Sequence, residues 1–137
     1  MRWFGRTNEG RCNLKIFVTG GAGVIGSEMV PMLVAKGHEV IVGDLKARPS
    51  AFHESVTYLH MDLRDLNQEK FLSFGAEVIV HLAATFERSA ESLGFWHENY
   101  RHNIELSHHF ATLARHAPTV RRLVFASSYL IYGPSQY

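Results

Sequence analysis

A chain of 137 residues, 46% apolar and 20% charged, has the material for one domain with a real core. Its net charge of +1 excludes a strong field drawing it to nucleic acid or an anionic membrane, and its apolar runs fall far short of the ~20 residues of a membrane-crossing helix. A single cysteine, Cys12, excludes an intrachain disulfide framework, and Met1-Arg2-Trp3-Phe4-Gly5-Arg6 lacks the apolar stretch of a secretory signal, so the expected setting is the reducing cytoplasm.

Residues 1–13 mix polar, glycine and aromatic side chains without a period, the composition of a poorly ordered leader, so the folded domain is expected over 14–137. Leu14–Thr19 is a short apolar run that ends at glycines and reads as a strand. Val24–Lys36 reads as a helix with Ile25, Met29, Met32 and Leu33 on its core face and Gly37 as its stop; Pro31 inside it should remove one backbone bond and bend it. Glu39–Gly43 and Val56–Met61 read as the second and third strands. Asp65–Phe74 reads as a helix capped by Asp65, with Gln68 at the capping-box position. Glu77–Ala83 is the fourth strand, Trp96–His116 a long amphipathic helix with Ile104, Leu106, Phe110, Leu113 and Ala114 inward, and Arg121–Ser127 the fifth strand. The first, second and fourth strand runs are almost continuously apolar, as in strands covered on both faces. Strands alternating with helices predict right-handed βαβ units: an α/β, doubly wound parallel sheet in the order 3-2-1-4-5 that stops after strand five. Such a sheet should expose apolar surface at its last edge.

Thr19-Gly20-Gly21-Ala22-Gly23-Val24-Ile25-Gly26 joins the first strand to the first helix. Here Gly20 allows a tight turn, Gly23 lets backbone approach a pyrophosphate, and Gly26 lets helix and strand pack closely. The helix's unsatisfied N–H groups and positive dipole end suit an anion. The plainer alternative is an ordinary glycine turn. No Gly-Lys-Ser/Thr follows, so this is not a P-loop. Asp44, ending the second strand, stands where an acid accepts from the adenosine ribose hydroxyls and repels a 2′-phosphate, unless it merely starts a turn. NAD is therefore expected over NADP, with Lys46 and Arg48 near enough to blunt the preference. Together these features read as a Rossmann-type dinucleotide domain. His102, His109 and His116 recur every seven residues, about 10 Å apart on a helix, too far for one metal, and read as a polar face. No metal site is expected.

With these motifs in order, the chain resembles the extended short-chain dehydrogenase/reductase family, of the sugar-nucleotide epimerase/dehydratase type. The resemblance rests on Thr19–Gly26, Asp62-Leu63 after the third strand, His81-Leu82-Ala83-Ala84 after the fourth, Asn103 in the long helix, and Phe125-Ala126-Ser127-Ser128-Tyr129-Leu130-Ile131-Tyr132-Gly133. It implies a cofactor-binding set of Gly20, Gly23, Val24, Ile25, Gly26, Asp44, Leu45, Asp62, Leu63, Leu82, Ala83, Ala84, Asn103, Ala126 and Ser127, with Ser128 in the catalytic serine position. Simpler roles stand beside these: capping for Asp62, a solvent-facing helix position for Asn103, strand-end hydrogen bonding for Ser127 and Ser128. Two positions depart from the family pattern: Leu106 where a glycine is usual, and Phe86 where some epimerases carry lysine.

The family's proton chemistry uses a Tyr-x-x-x-Lys pair, and none occurs in these 137 residues. The resemblance therefore implies the NAD-binding portion of an epimerase or dehydratase acting on a nucleotide sugar by transient hydride transfer, inactive by itself, with the substrate-reading part elsewhere. The alternative is a non-catalytic, redox-sensing dinucleotide module. A homodimer is compatible with either.

Overall fold

The computed structural model describes residues 13–85 and 93–128. The expected leader, except Asn13, and the Tyr132-Gly133 pair lie outside them, as do Cys12 and Phe86. Five strands, β1 Lys15–Thr19, β2 Glu39–Asp44, β3 Thr57–His60, β4 Val78–His81 and β5 Arg122–Phe125, form one sheet in the order β3-β2-β1-β4-β5. All pairings are parallel, as the alternation of runs predicts. Thr19 lies opposite both Gly43 and His81, and His81 opposite Phe125, so the carboxyl ends of β1, β2, β4 and β5 finish level at one edge. Every loop expected to carry function leaves from that edge.

Side chains alternate across the sheet. Phe17, Ile41 and Ile79 point to one face, where Phe71, Phe110 and Leu113 cover them. Phe17 sets its ring 5.5 Å from Phe71 and 5.6 Å from Phe110, tilted rather than stacked flat, as aromatic quadrupoles prefer. Ile16, Val18, Val40, Val42 and Val80 point to the other face, beneath Val30 and the loop residues Phe52 and Val56. β1, the central strand, is buried from Ile16 to Thr19.

The helices depart from the periodic reading in instructive ways. α1, Val24–Ala35, buries Gly26 and Val30, whereas Ile25 and Met32 are exposed. Apolar residues surround this helix almost completely, so pattern alone does not fix its rotation. The contact at Gly26 does, because a Cβ there would lie 2.5 Å from the Gly21 carbonyl oxygen. Pro31 does not interrupt α1, and it sits on the exposed side, where the chain tolerates one lost bond. α2, Gln68–Ser73, starts later than expected and is capped by Asn67, whose Oδ1 accepts from the Lys70 N–H at 2.8 Å. Asp65 instead closes a 3₁₀ turn, Leu63–Asp65, and the extended, buried Leu66 separates turn from helix. Gln68 is not a capping-box partner, since its amide reaches the Leu113 carbonyl at 3.4 Å.

The long helix has three parts: α3 Leu93–Asn99, a π-helical segment Tyr100–Glu105, and α4 Leu106–Arg115. The wider π turn shifts the buried face. Ile104, expected inward, is exposed, while Leu106, Phe110 and Leu113 are buried. At the sheet's last described edge Leu123, Val124 and Phe125 are exposed by 39%, 45% and 55%, the uncovered apolar surface expected of a sheet ending at β5. Among the described residues no helix is long and apolar enough to cross a membrane.

Candidate dinucleotide-binding site

Gly20 has φ +69°, the left-handed region, and a Cβ there would lie 2.7 Å from the backbone of Ala83. The first loop is thereby pressed against the end of β4. Its turn is closed by the Gly23 N–H on the Gly20 carbonyl at 3.0 Å, and Gly23 is the N-cap of α1 without any side-chain cap. The N–H groups of Val24, Ile25 and Gly26 have no carbonyl four residues back to serve them. Val24 is 89% exposed, so this helix end opens to the surface.

Asp44 is fixed by two backbone donors: Ala22 N–H to Oδ2 and Lys46 N–H to Oδ1, both at 2.8 Å. The carboxylate thus ties the glycine loop to the β2 loop and keeps acceptor capacity for further donors. Arg48 does not approach it. Its guanidinium donates to the Val56 and His53 carbonyls, each at 2.7 Å, and pins the loop leading to β3. Tyr58 Oη donates to the Lys46 carbonyl at 2.7 Å and stiffens the same rim.

Two clefts open along the level strand ends. The first, of about 160 Å³, includes Gly20, Gly23, Gly43, Asp44, Leu45, Asp62 and Leu63 in its lining. The second, of about 310 Å³, brings Asn103, Ala126, Ser127 and Ser128 together with His81, Ser107 and Phe125. Leu82, Ala83 and Ala84 line both and form the floor between them. All the sequence-predicted residues except Val24, Ile25 and Gly26 thus fall on one of two adjoining clefts, and those three sit at the helix end just described.

Asp62 caps the 3₁₀ turn through the Arg64 N–H at 3.0 Å. It also holds the Arg64 side chain, with Nε 3.0 Å from Oδ1 and Nη2 on Oδ2. The Arg64 side-chain hydrogen bonds bring the Asp62 carboxyl down to about 2. The capping alternative is therefore real, yet the residue still borders the first cleft. Asn103 is not solvent-facing: its Oδ1 accepts from the Thr85 N–H at 2.7 Å and its Nδ2 donates to the Thr85 carbonyl at 2.9 Å. It clamps the chain leaving the floor.

Several site residues carry no sequence signal of their own. Gly43 makes room for Leu63, whose Cδ2 would lie 2.4 Å from a Cβ there. His102, which reads as polar surface, lines the first cleft and pairs with Glu98 at 2.9 Å. His109 also leaves the polar face, since its Nε2 meets the Leu66 carbonyl at 2.8 Å. Among the described residues Thr19 and His81 are the buried polar ones, 2.8 Å apart. Among the described residues no group of three His, Cys, Asp or Glu side chains is placed to hold a metal ion.

Residues 16–137 match the model of the NAD dependent epimerase/dehydratase family. The UDP-glucose 4-epimerase of Halalkalibacterium halodurans is 34% identical over 124 residues, an alignment covering 88% of this chain and 36% of that enzyme. The chain therefore spans about a third of that relative's length. Its fold is similar to the Bordetella bronchiseptica enzyme WbmG in complex with NAD, with a TM-score of 0.77, 27% identity, and coverage of 91% of this chain and 41% of the other. It is also similar to MoeE5 in complex with UDP-glucose and NAD, with a TM-score of 0.75, 28% identity, and coverage of 89% and 39%. With the glycine loop, level strand ends and paired clefts in place, the chain belongs to the NAD dependent epimerase/dehydratase family.

Proposed function

We propose that this chain is the NAD-holding portion of an enzyme that epimerises or dehydrates a nucleotide sugar. One observation carries the reading: two clefts meet over Leu82–Ala84, next to a helix end with unserved N–H groups and an acid at the end of β2. An adenosine half fits the first cleft, with Asp44 accepting from ribose hydroxyls and Asp62 and Leu63 beside the base. The pyrophosphate suits the N–H groups of Val24, Ile25 and Gly26, where the helix dipole favours negative charge. The nicotinamide end suits the second cleft, flanked by Ala126, Ser127 and Ser128. When bound, NAD supplies reversible hydride acceptance at its nicotinamide ring.

The chain's own residues bind and orient. Ser128 hydrogen-bonds the reacting sugar hydroxyl, while Asn103 holds the Thr85 backbone and so the wall of the first cleft. General acid–base work needs a group with a pKa near the working pH, which a serine hydroxyl lacks. The Tyr-x-x-x-Lys pair that serves this step in the family does not occur in these 137 residues. NAD is favoured over NADP, because Asp44 would face a 2′-phosphate and Arg48 is committed elsewhere.

Calorimetric titration with NAD and NADP tests the reading. The expected result is NAD binding at least about tenfold tighter, a difference of about 1.4 kcal/mol. Absence of binding by either would overturn it. Equal affinity would overturn the role of Asp44 in cofactor choice.

A further inference from the structure

Under the floor shared by the clefts lies a buried polar chain whose hydrogens can be assigned one by one. Thr19 Oγ1 accepts from the Ala83 N–H at 3.1 Å and shares the Leu82 N–H, at 3.2 Å, with the Thr19 carbonyl. The Thr19 hydroxyl hydrogen then goes to His81 Nδ1, 2.8 Å away. At the other end Ser107 Oγ donates to the Asn103 carbonyl, so toward His81 Nε2, at 3.0 Å, it accepts. Both ends require the same ring state: Nδ1 bare, Nε2 protonated, imidazole neutral. The chain continues through Asn103, whose amide clamps Thr85. These hydrogen bonds together enclose residues 82–85, and His81 is the link at which β1, β4 and the long helix meet.

We propose that neutral His81 is a positioning residue for dinucleotide binding, and that adding a proton to its Nδ1 releases the cleft floor and weakens that binding. The proposal rests on the dinucleotide reading above. A second ring proton on Nδ1 turns an acceptor into a donor facing the Thr19 hydroxyl. Thr19 then has to accept from the ring in place of donating to it, in competition with the Ala83 N–H that it holds. The side chain is 3% exposed, so water is not at hand to serve the displaced groups. β1 faces the ring with Thr19 and β5 with Phe125, stacked at 5.5 Å; α4 offers Ser107 and Phe110. On the long helix, His109 lies edge-on to Phe110 and holds the Leu66 carbonyl, and His102 pairs with Glu98. Among the described residues no carboxylate is placed to stabilise a charged ring, and burial holds its proton affinity below the ordinary value. The loss of binding therefore falls on the acid side of 6.5.

The test is NAD titration of the chain between pH 8 and pH 5.5, beside His81→Gln, His81→Leu and His102→Gln. One coupled proton changes affinity by at most about tenfold per pH unit. The expected result is a wild-type affinity that falls several-fold toward acid. His81→Leu should bind weakly throughout. His81→Gln, which restores an acceptor toward Thr19 and a donor toward Ser107, should recover part of that loss and show no slope. His102→Gln should keep the slope. A flat wild-type profile overturns the proposal, as does an unchanged slope in His81→Gln. Imidazole nitrogen shifts by NMR, which need no cofactor, must also show the Nε2-protonated ring at pH 8 and slowed exchange of the Ala83 amide that is lost as the ring charges. If NAD fails to bind at pH 8, the dinucleotide reading falls, and a ring protonated on Nδ1 in that spectrum separately overturns the assignment of His81.

Discussion

Gly20→Ala should be among the most damaging single-methyl additions in the chain, and the structure divides its cost into two parts. The residue has φ +69°, where a side chain costs about 1–2 kcal/mol. The new Cβ would also lie 2.7 Å from Ala83 Cα and Ala83 N, backbone atoms just past β4 that have no rotamer to change. Such overpacking adds about 1–3 kcal/mol. Gly37 isolates the first part, since its φ is +87° and nothing lies within 4 Å of an added Cβ. At about 2.1 cal/mol/K per residue the unfolding entropy of this chain is roughly 290 cal/mol/K, so each kcal/mol moves Tm by about 3–4 °C. Gly37→Ala should therefore lower Tm by about 3–7 °C and Gly20→Ala by about 7–17 °C, read from thermal unfolding by circular dichroism. Equal shifts for the two variants would show that the first loop does not press on β4, and the floor between the clefts would lose its explanation.

Asp44→Ala should erase the NAD preference and, by removing the acceptor of the Ala22 and Lys46 N–H groups, destabilise the fold by about 1–3 kcal/mol in urea titration. Asp62 binds its proton more weakly when folded, at about 2 against an ordinary 3.8, so the folded chain carries fewer protons between those values. Its contribution to stability is then complete above 3.8 and lost as pH falls from there toward 2; Arg64→Met should flatten that part of the acid-unfolding curve. With nucleotide sugars and NAD, the 137 residues alone should give no product, and turnover abolished by Ser128→Ala would mean that another residue here supplies the base.

The sheet was legible because its determinants are local. Leu14–Thr19, Glu39–Gly43 and Glu77–Ala83 are short apolar runs that only a strand covered on both faces accommodates, and right-handed crossovers leave few ways to order them. The clefts were legible for a related reason. A glycine loop at the end of β1, an acid at the end of β2 and serines at the end of β5 have to converge once the strands are parallel and in register. The helices were harder to read, because each turns on a contact distant in sequence. The rotation of α1 follows from how closely Gly26 meets Gly21, and no periodicity encodes that distance. The π segment at Tyr100–Glu105 moves Ile104 outward and keeps Asn103 turned toward Thr85, whereas periodicity alone reads as a regular helix across the whole stretch.

His81 shows the same limit at the level of a single side chain. In sequence it is the first residue of a motif whose proposed cofactor-lining members are the three that follow it, and histidine in a strand carries no signal of partners. Its meaning depends on Thr19, 62 residues away, and on Ser107, 26 residues away. Parallel pairing sets Thr19 beside His81, and the register of β4 against α4 brings Ser107 to the other ring nitrogen. Each partner alone is an ordinary polar residue. Between them they use both ring nitrogens, so an apolar replacement leaves two buried groups unserved, whereas a glutamine replaces both functions. The distinction between His81→Leu and His81→Gln thus separates a ring that merely fills space from one whose hydrogen bonds hold the cleft floor.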